Sequence, residues 1–525
     1  MTTRTNRFLT IQILELEEMA VNNAKLWNEV NHRRRRSLFE VAGWEIADPE
    51  TLGKRIRWYA GDLEEKYKPI IGAVEAQQIV RKNAAAWRSF LALRARWQYG
   101  SLPPNIRKIN PPGYWKNRDT GQYNKLLIIG RNDRYALKIN PSRPDKPRDM
   151  KQGRGGMLVI KTMRGKKNLV LKLKGKPRWT GKNGAVEIKY DYAFEEWSVH
   201  QAVRAARLVE PPRQRYESQP PSVGRGRAAT DIGIVNLAAT TFQNRRTPAR
   251  LYKGGKVLSE WVYWTKRIAQ HQSVLEETNG KRTSKQLSKL YAIRTRRVRH
   301  MLNAQIRDEV AYCAAQSVRT LTTGNLTGLR ENNDKGAKTN QKIHNFFQYD
   351  YRSKRYKTTA EEYDIRMDPE SEAYTSKTCS LCGVRHRNGR KHRGLYQCKP
   401  NNTILNADVN GSENQLQKVS PSPELGRSSR AMTRPTVPQQ WNKHTNQWEP
   451  RISPPSGGRV SKVLLEPVGC SVENLVGSGG SWESVSGATD EVKLSRSSAR
   501  GVTVSYEIRL TVARRDNVIT CSVQN

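Results

Sequence analysis

The sequence is poor in long apolar stretches and in acidic side chains, and these two shortages already exclude whole classes of protein. Its 525 residues are 36% hydrophobic, and no apolar run approaches the roughly 18 residues that a membrane-spanning helix needs. The polar segment 1–7 carries two arginines and is not followed by an apolar stretch of signal-peptide length. We therefore expect neither a secreted nor a membrane protein, and the length allows roughly two to four domains.

Cysteine is scarce as well, with six residues in the chain. Cys313, Cys470 and Cys521 are isolated, and this spacing excludes a disulfide framework and fits a reducing cytoplasm. The other three, Cys379, Cys382 and Cys398, lie within one short segment. The sequence therefore has a single candidate metal cluster.

That cluster has the pattern of a zinc ribbon. A Cys-x-x-Cys-Gly knuckle at Cys379 and Cys382 is followed by Cys398, but Asn401 occupies the place of a fourth cysteine. His386 and His392 are the nearby candidates for the missing ligand. The alternative is a ribbon whose fold survives without a tightly held metal.

Acidic side chains are outnumbered, 48 against 93 lysines and arginines, which gives a net charge of +45. Residues 421–525 hold 13 basic and nine acidic residues, so +41 of this charge lies in residues 1–420. Such a surplus indicates a nucleic-acid partner rather than a merely soluble basic protein, and we find no amphipathic basic helix for a membrane surface. The candidate phosphate contacts are Arg33, Arg34, Arg35, Arg36, Lys166 and Lys167.

The pattern of apolar and turn-forming residues changes several times along the chain. Helical spacing of apolar residues dominates 16–100, short alternating segments punctuated by Pro and Gly follow in 101–225, and a strand–strand–helix–strand rhythm begins near 226. These changes predict a β-barrel or sandwich from 1–15 and 101–225, a helical domain at 16–100, an α/β domain from 226–370 and 404–420, a ribbon module at 371–403, and a low-complexity, poorly ordered tail at 421–525.

Two carboxylates stand out inside the α/β region. Asp231 lies within an apolar strand, where a carboxylate costs free energy unless it is paired or bound to a cation. Asp408 lies at a turn into a short helix. Taken singly, each is more commonly explained as a helix cap or a turn residue.

Taken in order, these segments resemble one family. Ala229–Ala238 is similar to the first RuvC-like motif, and Asn406–Asn414 to the third motif, of TnpB, the insertion-sequence relative of type V CRISPR effectors. The cysteine cluster lies between the second and third motifs, as in that family, and the resemblance extends over about residues 5–440. It implies an α/β RuvC (RNase H-like) nuclease domain with an inserted zinc-ribbon-like module, preceded by a β-barrel (wedge) domain and a helical recognition domain.

The resemblance also implies an activity. TnpB proteins are RNA-guided DNA endonucleases, so the expected partners are a guide RNA from the protein's own locus and double-stranded target DNA, cut next to a short adjacent motif in a prokaryotic cytoplasm. Two Mg²⁺ ions are expected between carboxylates, with Asp231 bridging them and Asp408 approaching from the helix after the ribbon.

The sequence departs from the family at the second motif. Gly324 stands where the family commonly has a glutamate, so the third carboxylate has to come from elsewhere. Glu372, just before the ribbon, and Glu331, in the following loop or helix, are the two candidate substitutes. The alternatives are an RNA-guided DNA-binding protein with impaired or lost nuclease activity, or a transposition regulator without RNA.

Overall fold

The computed structural model describes the chain except residues 1–2, 11–13, 40–49, 51–52, 55, 103–105, 107–108, 118–120, 130–133, 139–155, 162–167, 210–211, 213–215, 217–225, 246, 281, 326–335, 393, 421–435, 452–490, 498–502, 512–519 and 525. It divides into two compact units, Met1–Ile452 and Ser453–Asn525. Within the described residues, no helix is long and apolar enough to cross a membrane.

In the described part of residues 11–100, three helices follow the first strand of the larger unit. They are α1 (Leu14–Phe39), α2 (Gly61–Ile71) and α3 (Ala73–Gln98). Buried side chains of α3 recur every three or four residues and form one apolar face, which packs on α1 and α2. The helical texture of the sequence thus comes from three helices that share a core.

The strands around these helices form a seven-stranded antiparallel sheet. They are β1 (Thr3–Thr10), β2 (Leu126–Ile129), β3 (Tyr135–Lys138), β4 (Met157–Ile160), β5 (Leu169–Lys174), β6 (Trp179–Asp191) and β7 (Glu196–Leu208), in the order β2-β6-β7-β1-β5-β4-β3. Every strand contributes to one buried cluster, and the Tyr135 hydroxyl of β3 donates to the carbonyl of Gly184 in β6 at 2.8 Å. The sheet therefore curls around a common interior.

A second sheet begins with β8 (Gly226–Ile232), β9 (Asn236–Phe242) and β10 (Ala249–Lys253). After α4 (Gly255–Asn279) and α5 (Lys285–Ala315) come β11 (Val318–Asn325), the short α6 (Ala337–Gln341), α7 (Tyr349–Glu362) and β12 (Arg366–Ser371). Strand β11 lies between β8 and β12 and is parallel to both, whereas β9 is antiparallel to β8 and to β10. Two strands from beyond residue 420, described below, complete this seven-stranded sheet. Helices pack against it.

A small three-stranded sheet is inserted before the last helix. It consists of β13 (Arg390–His392), β14 (Leu395–Cys398) and β15 (Thr403–Asn406), and β15 runs directly into α8 (Ala407–Val419). Cys379, Tyr396, Cys398 and Ala407 form its small core.

Beyond residue 420 the structure corrects the sequence-based expectation of a poorly ordered tail. Strands β16 (Thr436–Asn442) and β17 (Gln447–Pro450) extend the second sheet, because β16 pairs in parallel with β10. Trp441 and Trp448 are 7% and 1% exposed, and the Trp448 indole donates to the Met301 carbonyl at 3.2 Å. Composition averaged over the whole tail hid these two short strands.

The second unit contains three described strands. They are β18 (Glu491–Ser497), β19 (Thr503–Thr511) and β20 (Thr520–Gln524), which pair in this order as an antiparallel sheet. The remaining residues of the predicted tail, 421–435 and most of 452–519, lie outside the described part of the chain.

Candidate active site and metal ribbon

Three parallel strands of the second sheet end at the same edge. The register pairs Thr323 of β11 with Thr230 of β8, and Gly324 of β11 with Glu370 of β12. Asp231 therefore lies next to Gly324, and Glu372 follows immediately after the end of β12. The carboxyl ends of parallel strands are the usual place for a ligand site in an α/β sheet.

Glu372 fills the space beside Gly324. A Cβ atom placed on Gly324 would overlap Oε1, Cδ and Cγ of the Glu372 side chain. The carboxyl group of Glu372 thus occupies the volume that a side chain at position 324 would take. On α8, the amide of Gln415 donates to Glu372 Oε1 at 3.4 Å. Glu331, the other sequence candidate, lies outside the described residues.

Asp408 lies in the first turn of α8. The Asn406 side chain caps this helix by accepting hydrogen bonds from the backbone amides of Asp408 at 3.0 Å and Val409 at 3.1 Å. The Asn236 amide, from the loop end of β9, donates to Asp408 Oδ2 at 2.5 Å. On the other side, the guanidinium of Arg390 is 3.6 Å from Asp408 Oδ1. Asn236 and Arg390 therefore hold the Asp408 carboxylate from two sides.

Gly411 lets α8 approach Asp231 closely. A Cβ atom on Gly411 would be 2.8 Å from Asp231 Oδ2, closer than side-chain carbons normally come to another atom. The next residue, Ser412, donates to the Ala229 carbonyl at 2.7 Å and so fixes α8 against β8. A larger residue at position 411 would separate the helix from the aspartate.

Burial and neighbouring carboxylates raise the proton affinity of Asp231. Burial, and then the negative charges of Glu372 and Asp408, raise the pKa of Asp231 to about 8. Burial also raises the pKa of Glu372 to about 7, although the Gln415 hydrogen bond and the Lys418 charge oppose it. Gathering three carboxyl groups here is unfavourable unless protons or a cation neutralise them. We refer to Asp231, Glu372 and Asp408 as the carboxylate site.

This set of ligands fits a divalent cation of hard character. The carboxyl groups come from the end of β8, from the end of β12 and from the first turn of α8, and the charges of Glu372 and Asp408 act on Asp231. Oxygen is the ligand type that Mg²⁺ prefers. A raised pKa, as at Asp231, is typical of a carboxyl group among other carboxylates. A bound cation would lower this pKa, because its positive charge offsets the repulsion between the carboxylates.

Two buried residues that sequence analysis missed support the Asp231 strand. Glu309 of α5 accepts hydrogen bonds from Thr230 at 2.6 Å and Thr240 at 2.8 Å, which ties β8 to β9 from beneath. Arg352 of α7 donates to the Gly233 carbonyl at 3.0 Å and to the Leu237 carbonyl, inside the hairpin after Asp231. Neither residue lies in a motif, so only their burial identifies them.

The cysteine cluster acquires a fourth partner in the folded chain. The ligand atoms of Cys379, Cys382, His386 and Cys398 all lie within 4.8 Å of one another. The Cys398 and Cys382 sulfurs are 3.8 Å apart, close to the spacing of two thiolates on one tetrahedral zinc, about 3.8 Å for bonds of about 2.3 Å. His386 Nε2 is 3.0 Å from the Cys382 sulfur, whereas His392 is exposed.

These four residues, which we call the Cys₃His site, fit zinc. Three thiols and one imidazole are a structural zinc set, and Cys379 and Cys398 are buried while Cys382 and His386 are half-buried. Burial raises the pKa of the Cys379 thiol to about 12, so this thiol ionises readily only with a cation beside it. Of the two histidines that the sequence offered, the fold brings His386 to the cysteines.

The four-arginine cluster is not a continuous exposed strip. The Arg33 guanidinium pairs with Asp62 at 2.5 Å, and Arg35 donates to the carbonyls of Pro111 and Pro112. Arg34 is 1% exposed, and it bonds to the Asn83 side chain at 2.6 Å. Its expected role in phosphate contact is therefore corrected to a structural one, because its guanidinium has no surface to present. Arg36 is exposed, and Lys166 and Lys167 lie outside the described residues.

Comparison with known proteins agrees with the order of these motifs. A family model described as "Probable transposase" (OrfB_IS605) matches residues 208–330, and one described as "Cas12f1-like, TNB domain" matches residues 353–415. The TnpB-like protein ORF457 of Acidianus two-tailed virus is 27% identical over 423 residues, which cover 77% of this chain and 83% of that protein.

Solved structures of CRISPR effectors are also similar. The Cas12f1–sgRNA–target DNA complex shares 14% identity, with 79% of this chain and 84% of that chain covered and a TM-score of 0.44. The mini-RNA-guided endonuclease Cas_phi3 shares 11% identity, with coverages of 81% and 94% and a TM-score of 0.41. The two family matches and the viral relative confirm the resemblance to TnpB that the motifs indicated, and residues 208–330 and 353–415 are the parts of the chain that match the OrfB_IS605 transposase and Cas12f1-like TNB family models.

Proposed function

We propose that this protein is an RNA-guided DNA endonuclease that hydrolyses phosphodiester bonds at the carboxylate site. The observation that supports this most directly is the relocated carboxylate. Glu372 fills the space next to Gly324, so the site has three carboxyl groups despite the glycine in the second motif. Burying a carboxyl group beside Asp231 costs free energy, and a bound cation would offset that cost.

The chemistry requires cations. Bound Mg²⁺ ions would supply an activated water and neutralise charge on the leaving oxygen. The chain's own part would be to hold Asp231, Glu372 and Asp408 around these ions. Asn236 bonds to Asp408 and Gln415 bonds to Glu372, and these bonds orient the two carboxyl groups. Arg390 beside Asp408 lies where it can also approach a phosphate of the substrate.

The nucleic-acid partners follow from charge and family. The +41 of residues 1–420 suits a guide RNA from the protein's own locus together with double-stranded target DNA. Guide pairing would then supply sequence specificity, while the curled sheet and the three-helix region contact backbone and the short adjacent motif. Arg36 is the exposed member of the arginine cluster and is the one proposed for phosphate contact. Lys166 and Lys167 remain proposed contacts.

A second candidate is a guided DNA-binding protein that does not cut. Gly324 is the residue that favours it, because the usual second-motif carboxylate is missing. The nuclease and the binding-only protein would have the same nucleic-acid partners. They differ only in whether the carboxylate site hydrolyses the DNA.

The test is to purify the full chain, sequence the RNA that it carries, and incubate the complex with Mg²⁺ and a plasmid that matches the guide. Cleavage that disappears in Asp231→Ala, Asp408→Ala and Glu372→Gln, while target binding persists, supports the nuclease. Glu331→Gln is the matched control. If Glu331→Gln abolishes cutting and Glu372→Gln does not, the third carboxylate is Glu331. If the unmodified complex binds its target in Mg²⁺ and never cuts, the binding-only candidate holds.

A further inference from the structure

Helix α8 presents two different faces, and the side chains on one face recur every three or four residues along the sequence. One face carries Asp408, Gly411, Ser412 and Gln415, and it contacts β8, Glu372 and the loop end of β9. The other carries Asn410, Asn414 and Gln417, and it contacts the segment that enters the ribbon. We call these three residues the amide clamp, and residues 372–380 the strap.

The amide clamp fixes the strap through main-chain groups. Asn410 accepts a hydrogen bond from the Ser380 amide and donates to the Thr378 carbonyl, both at 2.8 Å. Asn414 donates to the carbonyls of Thr375 and Thr378, both at 2.7 Å. Both asparagines are nearly fully buried, at 1% and 6% exposure. Hydrogen bonds in such surroundings are costly to leave unmade.

The strap joins the two candidate metal sites directly. Glu372 of the carboxylate site lies at one end of the strap, and Cys379 of the Cys₃His site lies near the other. The amide and hydroxyl groups of Thr375 donate back to the Glu372 carbonyl at 3.2 Å and 2.9 Å. Lys418 of α8 donates to the carbonyls of Ser371 and Ala373, both at 2.8 Å. The backbone is thus held on both sides of Glu372.

The relocation of the carboxylate explains why this bracing matters. A carboxylate at position 324 would project from β11, which is paired on both sides, with β8 and with β12. Glu372 instead follows β12, the last strand at that side of the described sheet, and has no ladder of its own. Its position must therefore come from contacts outside the sheet.

We propose that the amide clamp joins α8, the strap and the ribbon into one unit, in which Asn410 and Asn414 are positioning residues for Glu372 and Asp408. The inference rests on the proposed function, because it requires the carboxylate site to bind divalent cations. It follows that the affinity of the carboxylate site for such a cation depends on two asparagines that touch neither the cation nor the substrate.

The experiment measures Mn²⁺ binding, as a probe for Mg²⁺, to the zinc-loaded full chain by electron paramagnetic resonance. Asn410→Ala and Asn414→Ala are each expected to weaken Mn²⁺ binding by about 10-fold to 100-fold, the usual loss when a partner that orients a ligand is removed. Hydrogen exchange in the strap should become faster, while the zinc content stays unchanged. The matched control is Gln397→Ala, a ribbon amide whose side chain makes no hydrogen bond to α8 among the described contacts.

The outcomes separate the two ideas. If Asp231→Ala and Asp408→Ala leave Mn²⁺ binding unchanged, the carboxylate site does not bind the cation and the proposed function fails with it. If those two abolish binding while both clamp variants keep the parental affinity, the positioning role alone is overturned.

Thermal unfolding shows whether each variant is folded. Where an asparagine variant does not fold, Gln417→Ala replaces it, because it removes one bond of 3.1 Å to the Ser380 carbonyl. Weaker Mn²⁺ binding by Gln417→Ala supports the proposal, and unchanged binding overturns it.

Discussion

At the scale of single residues, Gly324 and Glu372 depend on each other. The glycine leaves room for the glutamate side chain, and any Cβ atom at position 324 would overlap it. A carboxylate can therefore be supplied from β11 or from the end of β12, but the two cannot coexist in one site. This exclusion gives a direct genetic test of which carboxylate completes the site.

We expect Gly324→Glu alone and Glu372→Gly alone to lose cleavage, and the double variant to recover it above both. The first change forces two side chains into one volume, and the second removes a ligand. Misplacing a reacting group by about 1 Å already costs roughly 100-fold in rate. The measurement is single-turnover plasmid cleavage with the bound guide RNA, with target binding as the control. A double variant no faster than Glu372→Gly would contradict the shared-space interpretation.

At the scale of elements, the ribbon distinguishes its two histidines by position. His386 lies against the Cys382 sulfur, whereas His392 is exposed on β13. We expect His386→Ala to weaken zinc retention and His392→Ala, the matched control, to leave it unchanged, because ligand loss opens a structural zinc site. The measurement is the zinc content per chain of each variant, obtained by plasma mass spectrometry after dialysis against a chelator. Equal zinc content in both variants would show that His386 is not the fourth ligand.

The C-terminal strands of the second sheet make another prediction. A chain ending after Gln440 loses Trp441 and β17 with Trp448, and both tryptophans belong to the buried cluster that contains Tyr252 and Trp261. Removing one buried tryptophan side chain typically costs about 3–5 kcal/mol of unfolding free energy, so this truncation should unfold the protein or nearly so. A chain ending after Ile452 keeps both strands and should remain folded. Denaturant unfolding compares the two, and equal stability would mean that β16 and β17 do not belong to the core.

At the scale of the whole molecule, the charge distribution sets how the protein meets nucleic acid. The +41 of residues 1–420 should make non-specific DNA binding strongly salt-dependent, because each phosphate contact releases counterions. For six to ten such contacts, the affinity is expected to fall by about 10³-fold to 10⁵-fold between 50 and 200 mM salt. A filter-binding series measures this slope.

Guided binding supplies the complementary control. RNase treatment before the assay should remove specific target binding and leave the salt-sensitive, non-specific component. A preparation that keeps full specific binding after RNase treatment would mean that the protein, rather than an RNA, reads the sequence.

The sequence by itself determined the chemical components of the molecule. Asp231, Asp408 and the three clustered cysteines were identifiable because their residue types, spacing and order are local properties of the chain. Helical and strand textures were also visible, since apolar periodicity reflects which face of each element is buried. The recognition of the TnpB family, confirmed by the comparisons, rested on the same local motifs.

Only the tertiary structure decided which components come together. Parallel pairing of β11 with β12 brings Glu372 to Gly324, and the turn of the first knuckle brings His386, not His392, to the cysteines. Burial turned Arg34 from an expected phosphate contact into a structural side chain. Strand register and side-chain direction depend on partners far away in the chain, so spacing along the sequence does not encode them.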